Sequence, residues 1–271
     1  MASTSWERTS HATSSEPESE PLPRLQSPDD AHSEASASSN AREVLIILSF
    51  RTLFIYYFTE MLQRHEVSHQ LDGDDMQHVA ASVDAGQEIA IFWRFGTAEF
   101  LRWILAEGAY PLQVAFICSS MEEADLRAAM CKVIEHLGFS VSEHEDGLEV
   151  DRRMIYVFGW NYVEFPFEAQ ADAVRVRRVL VGQILAKTGC HRDSSLLVIE
   201  RTGVYLEDES HNMLVIPPFI SDVFDTWAWE AAPDPELENL RRYLDRIMYK
   251  VHCEASIGMR EHLENEPYEG V

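Results

Sequence analysis

Apolar and polar positions along this chain follow two periods, and each change of period marks an element. Residues 97–108, TAEFLRWILAEG, place Phe100, Leu101, Ile104 and Leu105 on one helical face, with Thr97 positioned to cap the start and Gly108 to end the helix. Residues 121–138 repeat the period through Leu126, Met130, Val133, Ile134 and Leu137, and Glu122 and Glu123 sit where a helix start favours negative charge. A third helix is predicted over residues 168–189, closed by Gly189. A long last helix begins after Pro235 and fades near Gly258, with Leu237, Leu240, Leu244, Ile247 and Val251 as its inward stripe.

Between these lie shorter apolar runs. EIAIFWRF (88–95) and PLQVAFICSS (111–120) read as strands, the second one buried. FSVSEHEDGLEV turns at Asp146-Gly147, and DRRMIYVFGW and NYVEFPF continue as strands with a break at Gly159. SSLLVIERTGVYLED gives a strand, a turn around Thr202-Gly203 and a second short strand; MLVI gives a third. Pro217 and Pro218 then end pairing because they lack the ladder donor, and FISDVFDTWAWE starts another helix. Together these elements predict an α+β fold with a central, mostly antiparallel sheet packed by helices.

VLIILSFRTLFIYYF (44–58) imitates a membrane span. As a helix it reaches roughly 22 Å, short of a hydrocarbon core of about 30 Å. Arg51 at its centre carries an insertion cost of about 2.5 to 3.5 kcal/mol. The stretch is therefore expected to be a helix buried in protein, or a central strand followed by a helix, with Arg51 paired to a carboxylate; residues 42–64 read as helical over most of their length. A membrane-tethered adaptor is the reading that would follow if this stretch were an anchor. Residues 65–78 follow as a polar loop. Its DGDD is not an EF-hand loop, because the twelfth position counted from Asp72 is Val83 rather than a bidentate Glu.

Composition narrows the function. The chain has 271 residues, 46% of them apolar, and a net charge of -24, which repels phosphate backbones and anionic lipid and favours a protein partner with a basic surface. Residues 1–40 hold seven acidic and two basic side chains and eleven serines, too little apolar matter to offset ordering entropy, so a disordered tail is expected before a globular domain over 41–259 and an acidic tail over 260–271. Ser14, Ser15 and Ser27 resemble kinase-accessible sites. No apolar signal segment occurs in residues 1–40, and Cys118, Cys131, Cys190 and Cys253 form no C-x-x-C pair, so they read as reduced thiols of an intracellular protein, cytoplasmic or nuclear.

Catalytic motifs are missing. Neither glycine-rich phosphate loop occurs, nor G-x-S-x-G, nor H-E-x-x-H, so no cofactor and no metal is expected. Cys190-His191 and His252-Cys253 are adjacent pairs, yet sequence neighbours rarely face each other as proton transfer requires. Arg175, Arg177 and Arg178 with Arg152 and Arg153 form the main basic clusters: an anionic site, or salt bridges within an acidic protein. Trp227 and Trp229, near Pro233 and Pro235, read as exposed binding anchors.

The order of an apolar strand, T-G-V-Y with acidic residues, a second apolar strand and a helix rich in Phe and Asp, spelled LLVIERTGVYLEDESHNMLVIPPFISDVFDTW, resembles the closing motif of the SUKH superfamily. PLQVAFICSS resembles the first conserved strand of that superfamily's branch in herpesviruses and other large DNA viruses. Over residues 110–229 the resemblance implies an α+β fold with a central sheet, no enzymatic activity, and binding and neutralisation of partner proteins, in viruses often host-defence factors. The expected function is a non-enzymatic interaction module, with Pro217, Pro218, Phe219, Trp227 and Trp229 as contacts and Arg175 and Arg178 as a secondary anionic site. The alternative is a metal-dependent hydrolase or nuclease-like enzyme using Asp and Glu.

Overall fold

Residues 44–49 carry no polar side chain before Ser49, so neither side of an extended VLIILS can face water. In the structure, a computed structural model that describes residues 43–60, 78–83, 87–106, 111–164, 178–200, 212–217, 235–253 and 258–269, this stretch is β1 (Val44–Ser49), inside a seven-stranded sheet. Its side chains alternate between two cores. Val44, Ile46 and Leu48 face one, Leu45 and Ile47 the other, and all five are buried.

β1 is followed by one helical turn, α1 (Phe50–Leu53), and by β2 (Phe54–Phe58). Of the two expectations for this stretch, a buried helix or a central strand followed by a helix, the central strand is present, but only one helical turn follows it before an edge strand. Among the described residues no helix is long and apolar enough to cross a membrane. β2 pairs antiparallel with β4 (Gln87–Trp93), which pairs with β3 (His78–Val83), making a separate three-stranded sheet. α2 (Thr97–Leu105) buries Phe100, Leu101, Ile104 and Leu105 as its period predicts. Thr97 does not cap it: Gly96, left-handed at φ 82°, holds the cap position, and the Thr97 hydroxyl donates back to the Arg94 carbonyl at 2.7 Å.

β5 (Leu112–Ile117) returns beside β1, and α3 (Glu123–His136) leads to the hairpin of β6 (Val141–His144) and β7 (Gly147–Val150) and then to β8 (Arg153–Phe158). The hairpin loop is Glu145-Asp146, one residue earlier than the Asp-Gly signal indicates. Gly147 already pairs with His144, and a Cβ on it would lie 2.0 Å from the Ile155 carbonyl oxygen. The short pair β9 (Val163–Glu164) and β10 (Arg178–Val179) precedes α4 (Val181–Thr188), which Gly189 closes at φ 72°. Of the helix predicted over 168–189, residues 168–177 lie outside the described residues; Arg178 stands on a strand, and helix is present over Val181–Thr188. β11 (Ser195–Ile199) and β12 (Met213–Val215) complete the large sheet, and α5 (Glu236–Cys253) buries all five residues of its stripe.

The sheet order is β12-β11-β1-β5-β8-β7-β6. The first five strands run parallel; the β7–β8 and β6–β7 pairings are antiparallel, so β7 alone runs against the others. The expectation of a mostly antiparallel sheet is corrected: the sheet is mixed. The physical reason is two-sided burial. α2, α3, α5 and the small sheet cover one face, α4 with β9 and β10 the other, and continuous apolar strands such as β1 and β11 are what a doubly covered parallel sheet requires. β11 and β12 likewise run parallel, so they are not two arms of a hairpin.

The segment expected as an acidic tail from residue 260 also differs. α6 (Met259–Asn265) buries Met259 and His262, and the residues after it dock on α5. Tyr243 donates to the Glu266 carbonyl at 2.6 Å, Tyr268 donates to Glu236, and Tyr243 and Tyr268 meet edge to face at 5.1 Å. Two acidic side chains there have cationic partners: Glu266 pairs with Lys250, and with Arg246 at 3.1 Å, and Glu264 pairs with Arg260 at 2.6 Å. The N-terminal tail with Ser14, Ser15 and Ser27, the loop to residue 77, the Thr202-Gly203 turn and the helix after Pro218 lie outside the described residues.

Two glycines test this packing in opposite directions. Gly159, where β8 ends against the start of α3, has the Glu123 backbone nitrogen 2.4 Å from where a Cβ would stand. Gly159→Ala should destabilise the fold by about 1–3 kcal/mol. Gly182 in α4 has open space there, and Gly182→Ala should stabilise by about 0.5–1 kcal/mol. Urea denaturation of both variants checks the pair; similar effects of one sign contradict this packing.

Candidate functional site at the carboxyl edge of the sheet

Parallel strands carry their loops to one edge, and ligands of such sheets bind outside the carboxyl ends where the strand order reverses. Here the order runs outward from β1 through β5 to β8, and then resumes with β11 on the other side of β1. The reversal lies between β1 and β11. Arg51 stands two residues past the end of β1, in α1, and Glu200 comes directly after β11.

Glu200 is 7% exposed, and its Oε1 lies 3.9 Å from Arg51 Nε. The expectation that Arg51 pairs with a carboxylate holds, and Glu200 is the partner. That distance exceeds a hydrogen bond, and Glu200 Oε2 is enclosed with no hydrogen-bond partner among the described residues. Leaving a buried acceptor unmatched costs about 1–3 kcal/mol, more when it is charged. On the same turn as Arg51, the buried Thr52 hydroxyl also has no hydrogen-bond partner among the described residues.

A second arginine crosses the edge. Arg94, 3% exposed, leaves the end of β4, takes its place through a backbone bond to the Leu53 carbonyl at 2.8 Å, and donates from Nη1 to the Pro217 carbonyl at 3.1 Å. Pro217 thus stands at the carboxyl end of β12 as an acceptor. Next to β1, at the end of β5, Tyr56 donates to Ser120 Oγ at 3.0 Å, and Cys118 Sγ lies 3.5 Å from the same hydroxyl.

The turn that carries Arg94 also walls a groove. Trp93, Phe95, Gly96, Thr97 and Phe100 form one side and Pro235, Leu237, Glu238 and Arg241 the other, with His136 and Leu137 at the end, around a volume of about 730 Å³. That lies within the size range of ligand sites. Phe95 is 54% exposed beside it, whereas Trp93 is buried and its ring lies 5.2 Å from that of His136. Glu238 holds Arg241 through two hydrogen bonds of 2.7 Å and Arg242 through one of 2.8 Å. These bonds, Arg241's foremost, keep the Glu238 carboxyl at about 2 rather than 4.5.

Of the residues predicted to bind, the structure places only Pro217 at this edge. Pro218, Phe219, Trp227, Trp229 and Arg175 lie outside the described residues. Arg178 is elsewhere, on β10, at 4.0 Å from Glu164. Arg152 sits in a left-handed turn with Asp151 at the opposite end of β8. Burial pushes the Cys190 thiol up, away from the thiolate a nucleophile needs, and Sγ contacts the Thr188 carbonyl oxygen at 3.9 Å. Among the described residues no three His, Cys, Asp or Glu side chains stand together as metal ligands. Sequence reading missed Glu200, Arg94 and Phe95; the signal for the first was a lone acid ending an otherwise apolar run.

No protein-family model matches the chain, and no curated protein is significantly similar to it.

The Glu238 cluster carries a pH signature at the groove. A carboxyl depressed in the fold adds stability above its unfolded value near 4.5, and loses it as pH falls towards 2. The group is exposed, so the effect is small. The stability difference between the protein and Glu238→Gln, measured by urea denaturation from pH 7 to 2.5, should shrink below pH 4.5. A difference that grows on acidification contradicts the assignment.

Proposed function

We propose that this protein is a non-enzymatic interaction module that binds a basic segment of a partner protein along the groove and the adjoining carboxyl edge. The observation that carries the reading is Phe95, a large aromatic half exposed on the wall of a groove whose other apolar walls, Trp93, Phe100 and Leu237, are buried. An aromatic ring beside a desolvated cleft is the usual anchor of a protein contact. Charge selects the partner: the chain's net charge of -24 draws in a basic surface and speeds its encounter. The likeness to the SUKH superfamily points the same way, towards capture of another protein, of which host factors of a virus are the class that likeness indicates.

The test is affinity capture from the native cell, followed by reconstitution of the captured protein with the purified full chain. Phe95→Ala should weaken the reconstituted complex by about 2 kcal/mol or more, the range of a binding hot spot, while the melting temperature stays near that of the native chain. Added salt should slow association. Unchanged affinity of Phe95→Ala, or an acidic partner, contradicts the reading.

A further inference from the structure

At the opposite edge of the large sheet, where β1, β5 and β8 begin, lies a second cavity of about 300 Å³. Four polar side chains line it: Glu43, Gln113, Arg153 and Tyr156. Among the described residues none of the four makes a side-chain hydrogen bond or an ion pair. In a chain with 46 acidic residues against 22 lysines and arginines, a guanidinium without a carboxylate is out of keeping with its surroundings. The acids nearest to it in the chain are engaged elsewhere: Asp151 accepts from the Ser140 amide at 3.0 Å, and Glu149 meets His144 at 2.9 Å. The cavity is open to solvent. Glu43 is exposed, Met154 on the wall is 38% exposed, and no side-chain nitrogen of Arg153 is enclosed.

Strand register sets the spacing of the charges. Val44 stands beside Leu112, and Val114 beside Ile155, so Glu43 and Arg153 flank the start of β5 from its two sides. Two strand spacings separate their backbones, about 10 Å. The opposite charges line one cavity without closing on each other, which leaves both for a molecule that carries both signs. The negative charge of Glu43 is felt there: burial pushes the Tyr156 hydroxyl up, and Cys190 and then Glu43 add to the rise.

The chemistry of the ligand follows. A guanidinium takes a carboxylate through two parallel N–H donors, and a carboxylate takes an ammonium. The chain's net charge of -24 opposes a lone anion, and a lone cation leaves Arg153 unmatched, whereas a net-neutral zwitterion meets both groups. Leu105, Leu112 and Met154 add an apolar wall. The volume is at the small end of ligand sites, a size for one amino acid rather than a peptide.

We infer that this cavity binds a free α-amino acid with an apolar side chain, its carboxylate on Arg153, its ammonium on Glu43 and its side chain against Leu105, Leu112 and Met154. The site shares no lining residue with the groove and goes beyond the function proposed above.

Calorimetric titration of the full chain with L-leucine, L-methionine and L-phenylalanine tests this. Each is compared with its amide, which has no carboxylate, and with its desamino acid, which has no ammonium. At least one amino acid should bind saturably, about tenfold or more tighter than its amide and its desamino acid. Arg153→Gln should weaken that amino acid about tenfold or more and erase its advantage over the amide, and Glu43→Gln should erase its advantage over the desamino acid. Both variants should melt within about 2 °C of the native chain, because neither side chain has a partner to lose. Absence of saturable binding by all three amino acids, an amide or desamino acid that binds as tightly as its parent, or native affinity in Arg153→Gln overturns the site. The comparison of parent, amide and desamino acid on the native chain decides the matter even if a variant does not fold.

Discussion

The fold depends on the burial of β1 on both faces. Five consecutive apolar residues, Val44 to Leu48, feed two cores at once, and pairing with β5 on one side and β11 on the other leaves no edge of the strand free. Each flanking strand repeats the same alternation: Val114 and Phe116, and Leu196 and Val198, face the larger core, while Ala115 and Ile117, and Leu197 and Ile199, face the smaller. A strand with no solvent face requires cover above and below. That cover comes from helices and crossover segments, and crossovers are what make neighbouring strands parallel.

Parallel pairing then has a consequence for function. It delivers the ends of β1, β5, β8, β11 and β12 to one edge, so that residues far apart in sequence, Arg51, Arg94, Ser120, Glu200 and Pro217, are gathered there. The small sheet contributes by bringing Arg94 across to β12 and by turning at Gly96 into α2, which puts Phe95 beside the groove. Edge and groove are therefore parts of one construction, joined by residues 93–97. The apolar run of β11 makes a charge at Glu200 costly, and the Arg51 guanidinium 3.9 Å away is the cation that offsets it.

Much of the element pattern was legible in the sequence. The helical stripes of α2, α3 and α5 depend only on spacing within one segment, and so do the apolar runs of β5 and β11. The need of Arg51 for a carboxylate was also legible, since a charge inside an apolar run must be matched somewhere. Strand direction was not. The Asp146-Gly147 signal describes one local hairpin, whereas parallel pairing of β1 with β11 joins residues about 150 positions apart, and no short pattern encodes it. Residues 44–58 read equally as a buried helix or as a central strand followed by a helix, because a run buried on both faces has no period to tell the two apart. Glu200 was hidden for a related reason: its meaning comes from which strand end lies beside β11, and that is a property of the sheet.

Native-state hydrogen exchange tests the central role of β1 most directly. The amides of Leu45 to Leu48, with those of β5 and β11, should be the slowest to exchange in the molecule and should open only with global unfolding, while β6 at the sheet margin exchanges faster. Exchange of the β1 amides ahead of those of β6 and β7, through an opening smaller than global unfolding, would contradict the account.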